Sequence, residues 1–305
     1  MYDIRGLIKE EITEDLAEKI GRAYASMRVK ELAEGVQMTV AVGRDMRESS
    51  AGYQQAVMKG LVESGVQVLD IGLVSTPAFY FGVGHLNADG GIMISASHNP
   101  AEYNGFKITR EKAIPVSGVS GIQEIADLVE QDTFENAASP GSVKEIEQIP
   151  QMAAKAEFDH AEVGEIKKMK IVADSANGMG AQFLDELFFM IDADVTRMYW
   201  EFDGSFPNHE ADPFKMENTK ALREKVIELK ADIGIATDGD GDRIFFVDEK
   251  GNLVTPAILR GLIAQIELRQ HPGATICYDI RPGRITKDMI EEAGGIPSVT
   301  RVGHS

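Results

Sequence analysis

DIGIATDGDGDRIFFV, residues 232–247, is an apolar β-branched run that breaks into an acidic, glycine-spaced loop and resumes as a second apolar run. The same design recurs in VAVGRD (40–45), KIVADSANG (170–178) and TICYDI (275–280): each is a strand that feeds a polar or glycine-rich loop. Helical stretches separate these strands, and that alternation predicts α/β architecture. In open α/β sheets, ligands gather outside the carboxyl ends of the strands, so several such loops can face one cleft.

Working outward, strands are expected at 38–45, 66–72, 91–95 and 105–109, with helices near 48–64, 76–86 and 118–130. On the first of these helices Ala56, Val57, Gly60, Leu61 and Ser64 share a face. The polar stretch QDTFENAASPGS (131–142) reads as a boundary region. A polar helical segment follows, and then a second cycle: a strand from 170, a helix at 179–190, a strand near 194–199, a helix near 216–230 and the strand at 232–236. A third cycle starts near 254 with a helix to about 269, the strand ATICYDI, a helix near 284–293 and the strand PSVTRVG. The tail is expected to leave that third unit short of a closed sheet.

Composition narrows the class. Of 305 residues 43% are hydrophobic and 26% charged, as in core-forming globular chains. No apolar run approaches the roughly 20 residues that cross a bilayer, and the opening MYDIRG is too polar for a secretory signal. The 31 basic and 49 acidic residues give −18, which argues against nucleic-acid and anionic-membrane partners. An anionic substrate would need a local positive pocket. The single cysteine, Cys277, forms no internal disulfide, and its apolar run predicts a small buried strand residue. A reducing cytoplasm is the expected setting.

Two loops carry chemistry. In GIMISASHNPAEYNGFKI (91–108), Ser97 follows an apolar strand behind Ser95 and Ala96, so its hydroxyl can be exposed and approached closely. His98 stands beside it to orient a phosphate, and Lys107 can return from the next strand with positive charge. The plainer reading is a Ser/Asn/Pro turn with a solvated lysine. In TDGDGDR, Asp238, Asp240 and Asp242 would repel one another unless a cation neutralised them. Gly239 and Gly241 let the backbone bend all three towards one hard ion such as Mg²⁺ or Ca²⁺. An acidic turn between strands is the plainer alternative. An EF-hand loop fits poorly: its sixth position, normally glycine, is Arg243, and its flanks read as strands rather than helices.

Together these loops, about 140 residues apart, resemble the phosphoserine and metal loops of the α-D-phosphohexomutase superfamily. The resemblance implies consecutive mixed-sheet α/β domains: domain 1 at 1–147, domain 2 at 148–252 and the start of a third at 253–305, with a fourth domain absent. It implies that Ser97 carries the transferable phosphoryl group, with Lys107 assisting. Asp238, Asp240 and Asp242 would hold Mg²⁺, completed by a phosphate oxygen on Ser97, and Arg243 would lie beside that phosphate. YDIRG (2–6) is similar to the bacterial phosphomannomutase/phosphoglucomutase branch, in which the arginine, Arg5 here, reaches the active site; the phosphoglucosamine branch is the alternative. TRVGHS (300–305) resembles the third-domain segment whose histidine, His304, faces the substrate. VLDIGLVSTPAFYF (68–81), VADSANGMG (172–180) and FPNHEADP (206–213) are similar to further family segments, mostly structural, although Glu210-Ala211 departs from the usual proline-containing pair.

The implied activity is interconversion of hexose 1- and 6-phosphates, mannose or glucose, through phosphoserine and a hexose 1,6-bisphosphate. The implied partner is a phosphosugar, and the full-length parent is expected to be monomeric. Lys107, Arg5 and His304 are candidate proton carriers. The family's sugar-reading Glu-x-x-Gly-His loop and its fourth-domain phosphate grip do not occur in these residues, so this chain alone is expected to turn over poorly or not at all. A non-catalytic metal-binding fragment is the reading from another class. Aspartate-nucleophile phosphatases fit less well, because they place Asp-x-Asp early in the first strand unit.

Overall fold

A computed structural model describes residues 3–33, 35–135, 137–161, 164 and 166–302. The first unit is a mixed sheet with strand order β1-β5-β4-β2-β3-β6: β1 (Ile4–Leu7), β2 (Thr39–Arg44), β3 (Gln67–Leu73), β4 (Gly90–Ile94), β5 (Tyr103–Arg110) and β6 (Ser142–Glu145). Strands β2, β3, β4 and β6 run parallel, while β5 is antiparallel to both β4 and β1. Every residue of β4 is buried, as a central strand covered on both faces requires, whereas the edge strand β6, Ser-Val-Lys-Glu, is exposed throughout.

The period of two shows directly in the packing. Val40, Val42, Ile92 and Ile94 join the core beneath helices α1 (Glu14–Val29), α2 (Ser50–Glu63) and α4 (Gln123–Gln131). Their neighbours Ala41 and Met93 point the other way, into the core under α3 (Thr76–His85) and α5 (Ile149–His160). On α2, Val57, Gly60 and Leu61 are buried as the pattern requires.

The sequence reading places no element over residues 4–29, where the structure has β1 and α1. The helix is well signalled at its start: Thr13 caps it by accepting from the Leu16 amide, with Glu14 and Asp15 in the first turn. Its buried side, however, includes Gly21, Ser26 and Arg28, which blur the apolar stripe. Helix α4 begins only at Gln123, after a wide turn over Gly118–Ile122.

The second unit is a mixed sheet of order β10-β9-β7-β8, from β7 (Met169–Asp174), β8 (Ala193–Met198), β9 (Ile233–Thr237) and β10 (Ile244–Val247). Helix α6 (Gly180–Met190) packs Leu184 and Phe188 against Ile171, Ala173 and Ile235. Helix α7 (Lys220–Leu229) packs Leu222 and Val226 against the opposite-facing Val172 and Ala236. Expected from residue 216, α7 starts four residues later. There Asn218 donates to the Asp212 carbonyl and Thr219 to that of Met216, local bonds that compete with the helix.

The third unit pairs β11 (Thr275–Asp279) with β12 (Ile296–Thr300) in parallel, beneath α8 (Pro256–Gln270) and α9 (Arg284–Glu292). Cys277, expected to be buried, is exposed. The two helices cover the face that carries Ile276 and Tyr278, and Cys277, one residue along, points to the other face with the 58% exposed Ile296. Among the described residues no helix is long and apolar enough to cross a membrane.

Candidate active site

Parallel strands β2 and β4 of the first sheet and β9 of the second release their carboxyl-end loops at one place. Ser97, after β4, donates its hydroxyl to Asp238 Oδ2, after β9, at 2.9 Å across 141 residues of chain. Expected to be exposed, Ser97 is instead 1% exposed, because the acidic loop of the second unit covers its hydroxyl, and it adopts a left-handed backbone with φ 53°. Its amide donates to Ser95 Oγ at 3.0 Å. The rest of the loop is gathered by Arg47, whose guanidinium donates to the carbonyls of Ser97, Asn99, Pro100 and Tyr103 at 2.6–3.0 Å. Arg47 is 2% exposed and balanced by Asp45, whose Oδ2 lies 3.2 Å from its Nε. A buried guanidinium with carbonyl acceptors on its fork and a carboxylate on its edge is a rigid clamp.

The acidic loop turns tightly between β9 and β10. Arg243 N donates to Asp238 Oδ1 at 3.0 Å, and Gly241 takes φ 75°, which only glycine adopts without strain. Asp238 and Asp240 are fully buried, Asp242 is partly so, and one oxygen from each lies within 4.8 Å of the others. The cations nearby are Lys107, 3.7 Å from Asp240 and 3.6 Å from Asp242, and Arg243, 3.9 Å from Asp238. Burial, reinforced by the Asp240 and Asp242 charges, pushes Asp238 well above the usual carboxylate range. For Asp240, burial works the same way, but the Lys107 ammonium and the Thr76 hydroxyl outweigh it and hold the carboxyl below that range. Asp240 Oδ1 is buried with no hydrogen-bond partner. Three converging carboxylates, one with an orphaned oxygen and one protonation-prone, fit a divalent cation of the Mg²⁺ type.

With both loops in place, a family model described as phosphoglucomutase/phosphomannomutase, alpha/beta/alpha domain I, matches residues 1–136, and its domain II counterpart matches 129–251. The chain belongs to this family. A phosphomannomutase of Vibrio cholerae is 36% identical over all of this chain and 66% of its own length. A phosphoglucomutase of Neisseria gonorrhoeae is 38% identical over all of this chain and 64% of its own length. The crystal structure of a phosphoglucomutase/phosphomannomutase family protein from Burkholderia thailandensis superposes with a TM-score of 0.89 at 32% identity, over 99% of this chain and 66% of that one. The chain thus spans about two thirds of the length of these relatives. The mixed α/β sheets expected of phosphohexomutase domains are the ones observed.

The other residues singled out from the sequence fall around these two loops. Lys107, on β5, is 3% exposed and lies 3.3 Å from Asp3 Oδ2. Burial opposes its charge, but Asp240, Asp3 and Asp242 outweigh burial and keep the ammonium protonated well above its ordinary range. Arg5, on β1, donates to Asn99 Oδ1 at 2.7 Å, to the Ala96 carbonyl at 3.2 Å and to Asp3 at 2.8 Å, so it braces the serine loop from the other side. Arg243 Nη1 donates to His98 Nδ1 at 2.8 Å. Since a guanidinium only donates, Nδ1 is the bare nitrogen and the imidazole is neutral. Burial and the neighbouring Arg243 and Arg5 charges depress its pKa to about 4. His304 lies outside the described residues.

Sequence reasoning missed Asp3, Arg47 and Thr76. Arg47 and its Asp45 partner sit two residues apart just after β2, and nothing in that spacing marks them as a buried pair. Thr76 was visible only as part of a helix start. A further family segment, 206–213, packs Phe206 under the Arg47 guanidinium at 5.2 Å, and His209 Nε2 meets Asp174 Oδ2 at 3.1 Å, so this loop supports the clamp from the second unit.

One glycine sets how closely the two loops approach. A Cβ built on Gly239 would lie 2.6 Å from the Ser97 carbonyl oxygen, closer than any real contact, and the obstruction is backbone on both sides. Gly239→Ala is therefore expected to force the loops apart and destabilise the chain by about 1–3 kcal/mol. Thermal unfolding of the variant checks this; an unchanged midpoint would show that the loops are not in contact.

Proposed function

We propose that this chain is the phosphoryl-carrying portion of a hexose-phosphate mutase that interconverts mannose or glucose 1- and 6-phosphates, with Ser97 as the phosphorylated residue. The observation that carries this reading is the 2.9 Å approach of Ser97 Oγ to the three-carboxylate cluster, which is hard to explain as packing between two unrelated turns. On this reading the chain divides at 1–147, 148–252 and 253–305, so the serine loop belongs to the first part and the carboxylates to the second, with α5 packing Ile149 and Ala153 back into the core of the first unit.

In this scheme phospho-Ser97 gives its phosphoryl group to a free sugar hydroxyl: the bond from phosphorus to Oγ breaks, the bond to the sugar oxygen forms, the hydroxyl proton leaves to His304 or solvent, and Oγ takes up a proton as it departs; Lys107, held as an ammonium, and Arg5, whose guanidinium only donates, do not accept that proton. The hexose 1,6-bisphosphate so formed turns over in the cleft, and Ser97 takes back the other phosphate. Asp238, Asp240 and Asp242 would hold Mg²⁺, which supplies neutralising charge to the phosphoryl oxygens. Arg243, which bonds neutral His98 next to Ser97, would grip the phosphate on Ser97. Lys107 and Arg5 supply the local positive field that an anionic sugar needs in a chain of net charge −18. A phosphosugar partner, no nucleic-acid or membrane partner, a monomeric full-length parent and a reducing cytoplasm complete the proposal.

The test is to incubate the chain with glucose 1,6-bisphosphate and Mg²⁺ and locate any phosphate by peptide mass spectrometry. One phosphoryl group on Ser97 is expected. Phosphate on an aspartate would assign the chain to another phosphotransfer class, and no phosphate at all would end the proposal. The same chain is expected to isomerise hexose phosphates poorly, and the chain extended to the length of its relatives to do so readily.

A further inference from the structure

Thr76 is the first residue of α3 in the first unit, yet its two hydrogen-bond donors both go to the acidic loop of the second. Its amide donates to the Asp240 carbonyl at 2.9 Å, and its hydroxyl to Asp240 Oδ2 at 2.7 Å. Thr76 and Asp240 are both fully buried. The start of α3 leaves this amide free by arithmetic. Ser75 caps the helix by accepting from the Ala78 amide, Phe79 N donates to the Ser75 carbonyl, and Pro77 has no amide hydrogen. The first orphan donor of the helix is thus spent on the other unit.

A free aspartate carboxylate turns readily about its last bond, since that torsion is broad. Here one oxygen is fixed by the Thr76 hydroxyl, with Lys107 Nζ 3.7 Å from the same atom, and the other, Oδ1, is left buried and unpartnered. We propose that Thr76 is a positioning residue for the cation site: its hydroxyl fixes the rotation of Asp240 so that Oδ1 is the oxygen offered to the ion, and its amide holds the loop in place. Thr76 does not touch the ion; it acts through Asp240. The cation affinity of a loop on the second sheet is therefore set in part by a residue of the first. This rests on the reading of Asp238, Asp240 and Asp242 as Mg²⁺ ligands.

The experiment is titration calorimetry with Mg²⁺ on the 305-residue chain and its Thr76→Val, Thr76→Ser, Thr76→Ala and Asp240→Asn variants, with Mn²⁺ paramagnetic resonance as a second readout and circular dichroism to confirm folding. Thr76→Val keeps the branched shape and the amide but removes the hydroxyl, and is expected to weaken Mg²⁺ about 10–100-fold, the usual range for losing a partner that orients a ligand. Thr76→Ser keeps the hydroxyl and is expected to stay within about threefold of the parent. If the valine variant does not fold, serine against alanine decides. Equal affinities for serine and alanine, or a valine variant equal to the parent, would overturn the role of the hydroxyl. A parent that binds Mg²⁺ and an Asp240→Asn variant that does not, with Thr76→Val unaffected, would sink this inference alone. A parent that binds no Mg²⁺ would remove the metal reading and the inference with it.

Discussion

Ser97→Ala, made in the chain extended to the length of its relatives, is expected to lower hexose-phosphate isomerisation by at least about a thousandfold, the scale of losses when a covalent nucleophile is removed. The loss is expected to be chemical rather than structural. The Ser97 carbonyl keeps its bond from Arg47, the amide keeps its bond to Ser95, and alanine tolerates φ 53° no worse than serine does. The hydroxyl bond to Asp238 disappears, with the 3.3 Å contact to His98 Nδ1, a loss of about 1 kcal/mol. Steady-state turnover and transfer of labelled phosphate into protein check the result. Turnover within about tenfold of the parent would mean that Ser97 never carries the phosphoryl group.

Lys107→Met is expected to have the largest effect on stability. In the chain stripped of divalent ions, Lys107 stands between Asp3, Asp240 and Asp242, with its side chain 4% exposed. Removing one partner of a buried ion cluster leaves carboxylates uncompensated, at a cost of about 3 kcal/mol. Saturating Mg²⁺ is expected to restore much of that, since the ion neutralises Asp240 and Asp242 in its own way. The pH dependence has a definite sign. The folded chain holds the ammonium pKa above its unfolded value of roughly 10.4, so the contribution is fully present below that pH and declines only as pH rises through the folded value. From neutral pH to about pH 10 the gap between parent and variant should therefore stay level. Chemical denaturation in chelator, with and without Mg²⁺, measures it. Equal stability of the two chains in chelator would show that Lys107 is not the counter-ion of the cluster.

Legibility in the sequence followed how local the cause was. Strands β2, β4, β7 and β9 were readable because each is a short β-branched run ended by glycine or a polar loop. Helix α1 was not, because its buried face mixes Ser26 and Arg28 with Ala and Ile, and only packing against α2 and α4 makes that face interior. Cys277 shows the limit from the other side. Its apolar run correctly signals a strand, but burial depends on which face the helices cover.

Within the site, residue types were legible and partners were not. Ser97, His98, Asp238, Asp240, Asp242 and Arg243 announced themselves through motifs in which spacing and chemistry coincide. Asp45 and Arg47 look like ordinary surface charges in the sequence, and only folding reveals an ion pair 1–2% exposed that clamps four carbonyls.

By itself the sequence determined the α/β class, the two loops and the chemistry each can offer, because β-period patterning, glycine spacing and carboxylate clustering are local properties of the chain. The tertiary structure alone decided that the loops meet, at what distance, and through which intermediaries: Arg47 on one side, Thr76 on the other and the missing side chain of Gly239 between them. Contact between residues 141 positions apart depends on how two sheets dock, and docking is set by the summed packing of both units rather than by either motif.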